Sequence, residues 1–122
     1  MKPSLQDTRE PIDAPKVLDA FRRIYRCKDA DIAAALQIDE PTLRGYATGD
    51  RVPTDRVRKS IADLQELAFF LEEIFSDGAD AARWLNKTAP VLKGRRPIDL
   101  IRTGKLDKVI SVLATFHAGA FL

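Results

Sequence analysis

The chain has 122 residues, 45% of them hydrophobic and 31% charged, with a formal net charge of +2, one cysteine and one histidine. That length holds one domain or two very small ones, with enough apolar side chain for a helical core, which excludes a chain disordered throughout. A lone cysteine excludes an internal disulfide or a multi-thiolate metal site, and no apolar run approaches twenty residues, so the expectation is a cytoplasmic protein in a reducing compartment with no membrane partner.

The small net charge hides a segregation along the chain. Residues 1–60 carry 12 Lys/Arg against 10 Asp/Glu, residues 61–80 none against 6, and residues 81–122 carry 8 against 2. A basic C-terminal third can face phosphate or an acidic partner, or it can neutralise the acidic helix beside it. Charge alone leaves both open.

In chain order, residues 1–15 hold Pro3, Pro11 and Pro15 among polar neighbours and read as an extended arm. A helix is expected from Lys16, because Val17, Leu18, Phe21, Ile24 and Tyr25 recur at three- and four-residue steps; Cys27 follows as a small buried or half-buried hydrophobe. A second helix over 29–37 takes Asp29 as N-cap and turns Ile32, Ala33 and Leu36 inward. After a tight turn at Ile38-Asp39, a third runs from Glu40 to Thr48 and stops at Gly49.

Two short helices joined by so brief a turn make a helix-turn-helix. The stretch from Asp31-Ile32-Ala33 through Leu36, Ile38, Thr42-Leu43-Arg44, Tyr46, Gly49 and Pro53 resembles the Xre/Cro-type DNA-binding fold, with Tyr46 where that family usually places Trp. Groove reading needs side chains at the start and outer face of the second helix. Thr42, Gly45 and Thr48 lie there at three-residue steps, Arg44 can reach a phosphate or a guanine edge, and Arg51 suits a backbone phosphate. Asp39 and Glu40 oppose this by repelling phosphate, and an αα-hairpin in any bundle has the same pattern.

From Thr54, an N-cap, one apolar stripe continues through Val57, Ile61, Leu64, Leu67, Ala68, Leu71, Ile74 and Phe75. Phe69 falls on the far side of this long helix, so two sides need covering: the N-terminal half by the helix-turn-helix bundle, the C-terminal half by a second unit or another protomer. Glu66, Glu72 and Glu73 remain for solvent or for cations such as Arg83 and Arg95. Ser76-Asp77-Gly78 breaks the helix, and the next, over 79–87, carries Trp84 and Leu85 and ends before Pro90. Gly94 supplies a turn, Pro97 opens a short apolar helix with Ile98, Leu100 and Ile101, and Gly104 closes it. The last helix, over 106–118, buries Leu106, Val109, Ile110, Leu113 and Phe116 and stops at Gly119. The unit is expected to be built around Trp84, with the apolar ending Ala118-Gly119-Ala120-Phe121-Leu122 either folded back on the indole or inserted into a partner.

Trp84-Leu85, Gly94-Arg95-Arg96-Pro97, Ile98 to Ile101, Gly104 and Val109 together resemble the C-terminal toxin-binding domain of the Xre/MbcA/ParS antitoxins, over roughly residues 54 to 122. Where that family often has Asn-Pro-x-Leu, this chain has Thr88-Ala89-Pro90-Val91-Leu92. The resemblance implies an antitoxin of a type II toxin-antitoxin system, which binds and occludes a RES-domain, NAD-consuming toxin and autorepresses its operon as a homodimer on operator DNA. It favours insertion of the tail, and makes Arg95, Arg96, Arg102, Phe121 and Leu122 the candidate toxin-facing residues. A competing reading pairs Arg95 and Arg102 with Glu72 and Glu73. Two other functions fit the same pattern: a stand-alone dimeric helix-turn-helix repressor without a toxin partner, and a structural adaptor with a degenerate DNA-binding unit.

Chemistry of other kinds is not written in the chain. His117 is the only histidine, no glycine-rich phosphate loop occurs, carboxylates come as local helical pairs, and Ser60 and Ser111 lie in helices with no base suggested nearby. No catalytic residue, metal, cofactor or small-molecule substrate is expected. The fold expectation is all-α, with an arm (1–15), a helix-turn-helix unit (16–60) and, joined through the long helix, a toxin-binding and dimerisation unit (61–122).

Overall fold

The computed structural model describes residues 12–119, and they are all-α: seven α-helices and one 3-10 turn, with no strand among the described residues. The helices are α1 (Ala14–Arg23), α2 (Asp29–Leu36), α3 (Glu40–Thr48), α4 (Asp55–Ile74), α5 (Gly78–Leu85), α6 (Pro97–Arg102) and α7 (Leu106–His117), with the 3-10 turn at Pro90–Leu92 between α5 and α6. Most of the expected arm, and Phe121 and Leu122, lie outside the described residues.

Local caps set most boundaries. Helix α1 begins at Ala14, two residues earlier than its apolar pattern suggests, because Asp13 accepts the Lys16 amide at 3.1 Å and Pro15 sits in the first turn, where its missing N–H costs nothing. Tyr25 is buried as expected, but Ile24 is 46% exposed, since the helix ends at Arg23 and the chain leaves it through a left-handed Arg26. Asp29 is not the N-cap of α2. Lys28 holds that position, and Asp31, one turn in, accepts the Lys28 amide at 3.1 Å while Asp29 pairs with Arg22 at 3.0 Å. Asp39 caps α3 through the Thr42 amide and Thr54 caps α4 through the Val57 amide.

The 20-residue α4, about 30 Å long at 1.5 Å per residue, is the spine. Helices α1 and α2 pack on it, with α3 closing over both, while α7 lies along it as its most extensive neighbour and α5 joins from the other side of the loop. Arg56 on α4 donates to the Leu36 carbonyl at 3.2 Å, satisfying the end of α2. Buried Val57, Ile61, Leu64, Leu67 and Leu71 form a single stripe that belongs to one continuous core running from Leu18 and Phe21 to Val109 and Leu113.

The core of the C-terminal unit is not built around Trp84. Leu85, one residue on, is fully buried, and the indole is half-buried, tilted against Phe75 at 5.9 Å. The Glu–Arg pairs expected across α4 do not form. Arg83 is held by Asp80 on its own helix, Glu73 faces His117 at 3.5 Å, and Glu72 lies near the buried Tyr25, adding to the rise that burial gives its hydroxyl pKa. His117 also meets Phe69 and Phe70 edge-on, so the outward ring of α4 is partly covered by the end of α7. Helix α2 also touches α6, and at the end of α6 the left-handed Gly104 comes so close to Gln37 that a Cβ would lie 2.9 Å from the side-chain amide nitrogen.

Candidate functional site

Two surfaces carry the residues singled out by sequence. The first is the outer face of α3. Leu43 and Tyr46 point inward, 1% and 4% exposed, so the helix is fixed to the core as a recognition helix requires. Arg44 and Thr48 are exposed, Thr42 and Gly45 half-buried. The Thr48 hydroxyl is turned back onto the Gly45 carbonyl at 3.3 Å. Asp39 stays ionised, because hydrogen bonds from the Thr42 hydroxyl and amide hold its carboxyl below the usual carboxylate range.

Arg51 folds back over the helix rather than trailing away from it. Its amide donates to the Gly45 carbonyl at 3.1 Å, its stem lies over Gly45, its guanidinium donates to the Thr42 hydroxyl at 3.4 Å, and its carbon Cζ stands 5.9 Å from the centre of the Tyr46 ring. Gly45 makes this possible, since a Cβ there would fall 2.5 Å from Arg51 Cδ and 2.8 Å from Cγ. The absent side chain at Gly45 is the slot for an arginine.

The second surface is on the C-terminal unit, where the three arginines part company. Arg96 is the N-cap of α6 and makes a bidentate pair with Asp99, Nε to Oδ2 at 3.0 Å and Nη2 to Oδ1 at 2.8 Å. That pair holds the Asp99 carboxyl below its ordinary range. Arg102 donates through Nε to Asp31 at 2.6 Å and more weakly to Asp99 at 3.5 Å. It therefore pairs neither with Glu72 nor Glu73, and its reach toward a partner is limited by an ion pair with α2. Arg95 alone of the three is exposed and makes no side-chain hydrogen bond or ion pair among the described residues, on a loop closed by the pairing of Ala89 with Arg95. Phe121 and Leu122 lie outside the described residues.

Asp31 is the residue that sequence reading missed. Its side chain is only 9% exposed, and its two oxygens serve α2's own cap and Arg102, 71 positions away. An aspartate in a first helical turn is ordinary, and only the chain's return makes it a joint. Nearby Cys27 is an inert thiol, pushed up to about 12 by burial first and then by Asp31. Among the described residues no helix is long and apolar enough to cross a membrane.

Comparison with known proteins agrees with this geometry. Residues 70–119 match the family model described as the antitoxin Xre/MbcA/ParS C-terminal toxin-binding domain, which covers the end of α4 and all of α5, α6 and α7. A probable mycobacterial cidal antitoxin of Mycobacterium tuberculosis is 28% identical over 111 residues, 91% of this chain and 93% of that protein. A chain of the crystal structure of the M. tuberculosis MbcT-MbcA toxin-antitoxin complex superposes with a TM-score of 0.68 at 21% identity, covering 89% of this chain and 96% of that one, which shows a shared fold. Residues 70–119 thus match the antitoxin Xre/MbcA/ParS C-terminal toxin-binding domain, and the chain is similar to a mycobacterial antitoxin over nearly its full length.

Proposed function

We propose that this antitoxin neutralises a RES-domain, NAD-consuming toxin by seating its C-terminal unit on it, and that its helix-turn-helix unit represses its own operon as a homodimer. The observation that carries the toxin reading is the family-matched unit 70–119, whose α7 lies along α4 and whose α6 packs on α2 and α7, with Arg95 exposed on the loop between. Arg96 and Arg102 serve there as the frame that holds this face, and Arg95 is the member of the trio with a free guanidinium. The tail residues Phe121 and Leu122 belong to the same proposal as an apolar insertion into the toxin's active-site mouth.

The test is coexpression with the product of the adjacent gene. A stable complex, with restored growth and restored cellular NAD, is the expected result. Growth arrest and NAD loss that persist with the antitoxin present would overturn the reading.

The DNA-side reading is supported by α3's fixed inner face and by Arg51 laid across its outer one. An arginine held over the recognition helix presents a planar fork to a base edge, whereas a flanking arginine would present only charge. Gly45→Ala separates folding from reading. It should leave unfolding stability nearly unchanged, because the ordinary gain of alanine over glycine inside a helix, about 0.5–1 kcal/mol, is offset by displacing Arg51 from Thr42 and the Tyr46 ring. It should also displace Arg51 and weaken binding to the DNA upstream of the gene by about tenfold, worth about 1.4 kcal/mol. Calorimetry and gel-shift titration at one salt concentration measure the two. Unchanged DNA affinity would remove Arg51 from the reading surface.

A further inference from the structure

A groove of about 440 Å³ opens between the loop after α5 and the outer side of α7. Leu92 and Leu100 form its floor, 6% and 1% exposed, and Val91 stands at its rim, 43% exposed. Lys93, Arg95 and Lys108 line it as well, all exposed and in no ion pair among the described residues. The other arginines of this unit, Arg83, Arg96 and Arg102, are each bound to an aspartate. Of the five cations of the C-terminal third that are in no ion pair among the described residues, three thus lie on this groove against one lining carboxylate, Asp107, while Lys87 and Lys105 lie outside it.

The backbone that carries Lys93 and Arg95 is held in place. Lys93 and Gly94 are consecutive left-handed residues, φ 60° and 80°, and turn the chain back so that the Ala89 amide donates to the Arg95 carbonyl and the Gly94 amide to the Ala89 carbonyl, both at 3.0 Å. A lysine in that conformation is uncommon, and backbone strain of this kind gathers where geometry is used. A loop backbone fixed in this way binds a complementary chain with less ordering cost than a mobile one, while the cationic side chains on it remain free to turn toward that chain.

We propose that this groove seats an acidic segment of the partner toxin, its carboxylates meeting Lys93, Arg95 and Lys108 and an apolar side chain of the same segment lying on Val91 and Leu92. The inference rests on the toxin-binding reading and names the surface and the partner chemistry for it. A nucleic-acid strand fits less well, because no aromatic ring lines the groove to stack a base.

The test compares two double variants of equal charge change, K93E/R95E in the groove and K87E/K105E outside it, each checked for the native helical circular dichroism. Titration against the purified toxin should show the groove variant binding about 100-fold more weakly than the parent and the control within about threefold of it. Equal binding by parent and groove variant overturns the groove and leaves the toxin reading standing, as does an equal loss in both variants. Copurifying nucleic acid that is lost only in K93E/R95E, with toxin affinity intact, assigns the groove to a different ligand and overturns it too. No complex with the parent overturns the toxin reading and the groove together.

Discussion

Asp31→Ala should lower unfolding stability by about 2–4 kcal/mol, as measured by urea denaturation. The substitution takes the cap from α2, a loss of about 1 kcal/mol by itself, and strips Arg102 of its closest carboxylate at 2.6 Å. The side chain of Arg102 is 38% exposed, so water can solvate it once the partner is gone, which holds the loss below that of a fully buried pair. Asp31→Asn separates the two contributions. It keeps an oxygen for the Lys28 amide and removes the charge, so about half the loss should remain. An Asp31→Ala protein within about 0.5 kcal/mol of the parent, the ordinary range of a surface substitution, would show that α2 and α6 are held together by apolar packing alone.

Leu67→Ala is the second large effect, expected at about 2–5 kcal/mol. Leu67 is fully buried midway along α4, where the stripe that serves α1 and α2 passes into the one that serves α7. Because the core is one cluster, the damage should not stay on one side. Trp84, the only tryptophan, reports on the C-terminal unit, and far-ultraviolet circular dichroism reports on every helix. In parent and variant the two signals should change over the same denaturant range, with the variant's midpoint lower. Two separated transitions would mean that α4 does not join the halves energetically.

Much of the architecture could be read from the chain because the relevant physics is local. Gly49, Gly104 and Gly119 stop helices where their left-handed backbone is found, Thr54 caps α4, and the stripe from Val57 to Leu71 is the stripe that is buried. Trp84 misled because size is a poor guide to direction; the register of α5 turns Leu85 inward and leaves the indole at the edge. Pairings across long separations were out of reach. Nothing near Arg102 in sequence indicates Asp31, and the acidic face of α4 offered nearer and wrong partners. The outer face of α3 was half legible. Thr42, Arg44, Gly45 and Thr48 followed from helical spacing, whereas the path of Arg51 depends on a void at Gly45 that appears only once the loop is closed.

Gly104 meets Gln37 where α6 ends beside the turn between α2 and α3. Its backbone already requires φ of 78°, and the amide of Gln37 fills the volume in which any β-carbon would stand. Gln37 is exposed and its amide is the end of a flexible side chain, so a β-carbon at 104 would turn that side chain aside rather than part the helices; the demand that remains is the left-handed backbone, which sets the corner between α6 and α7.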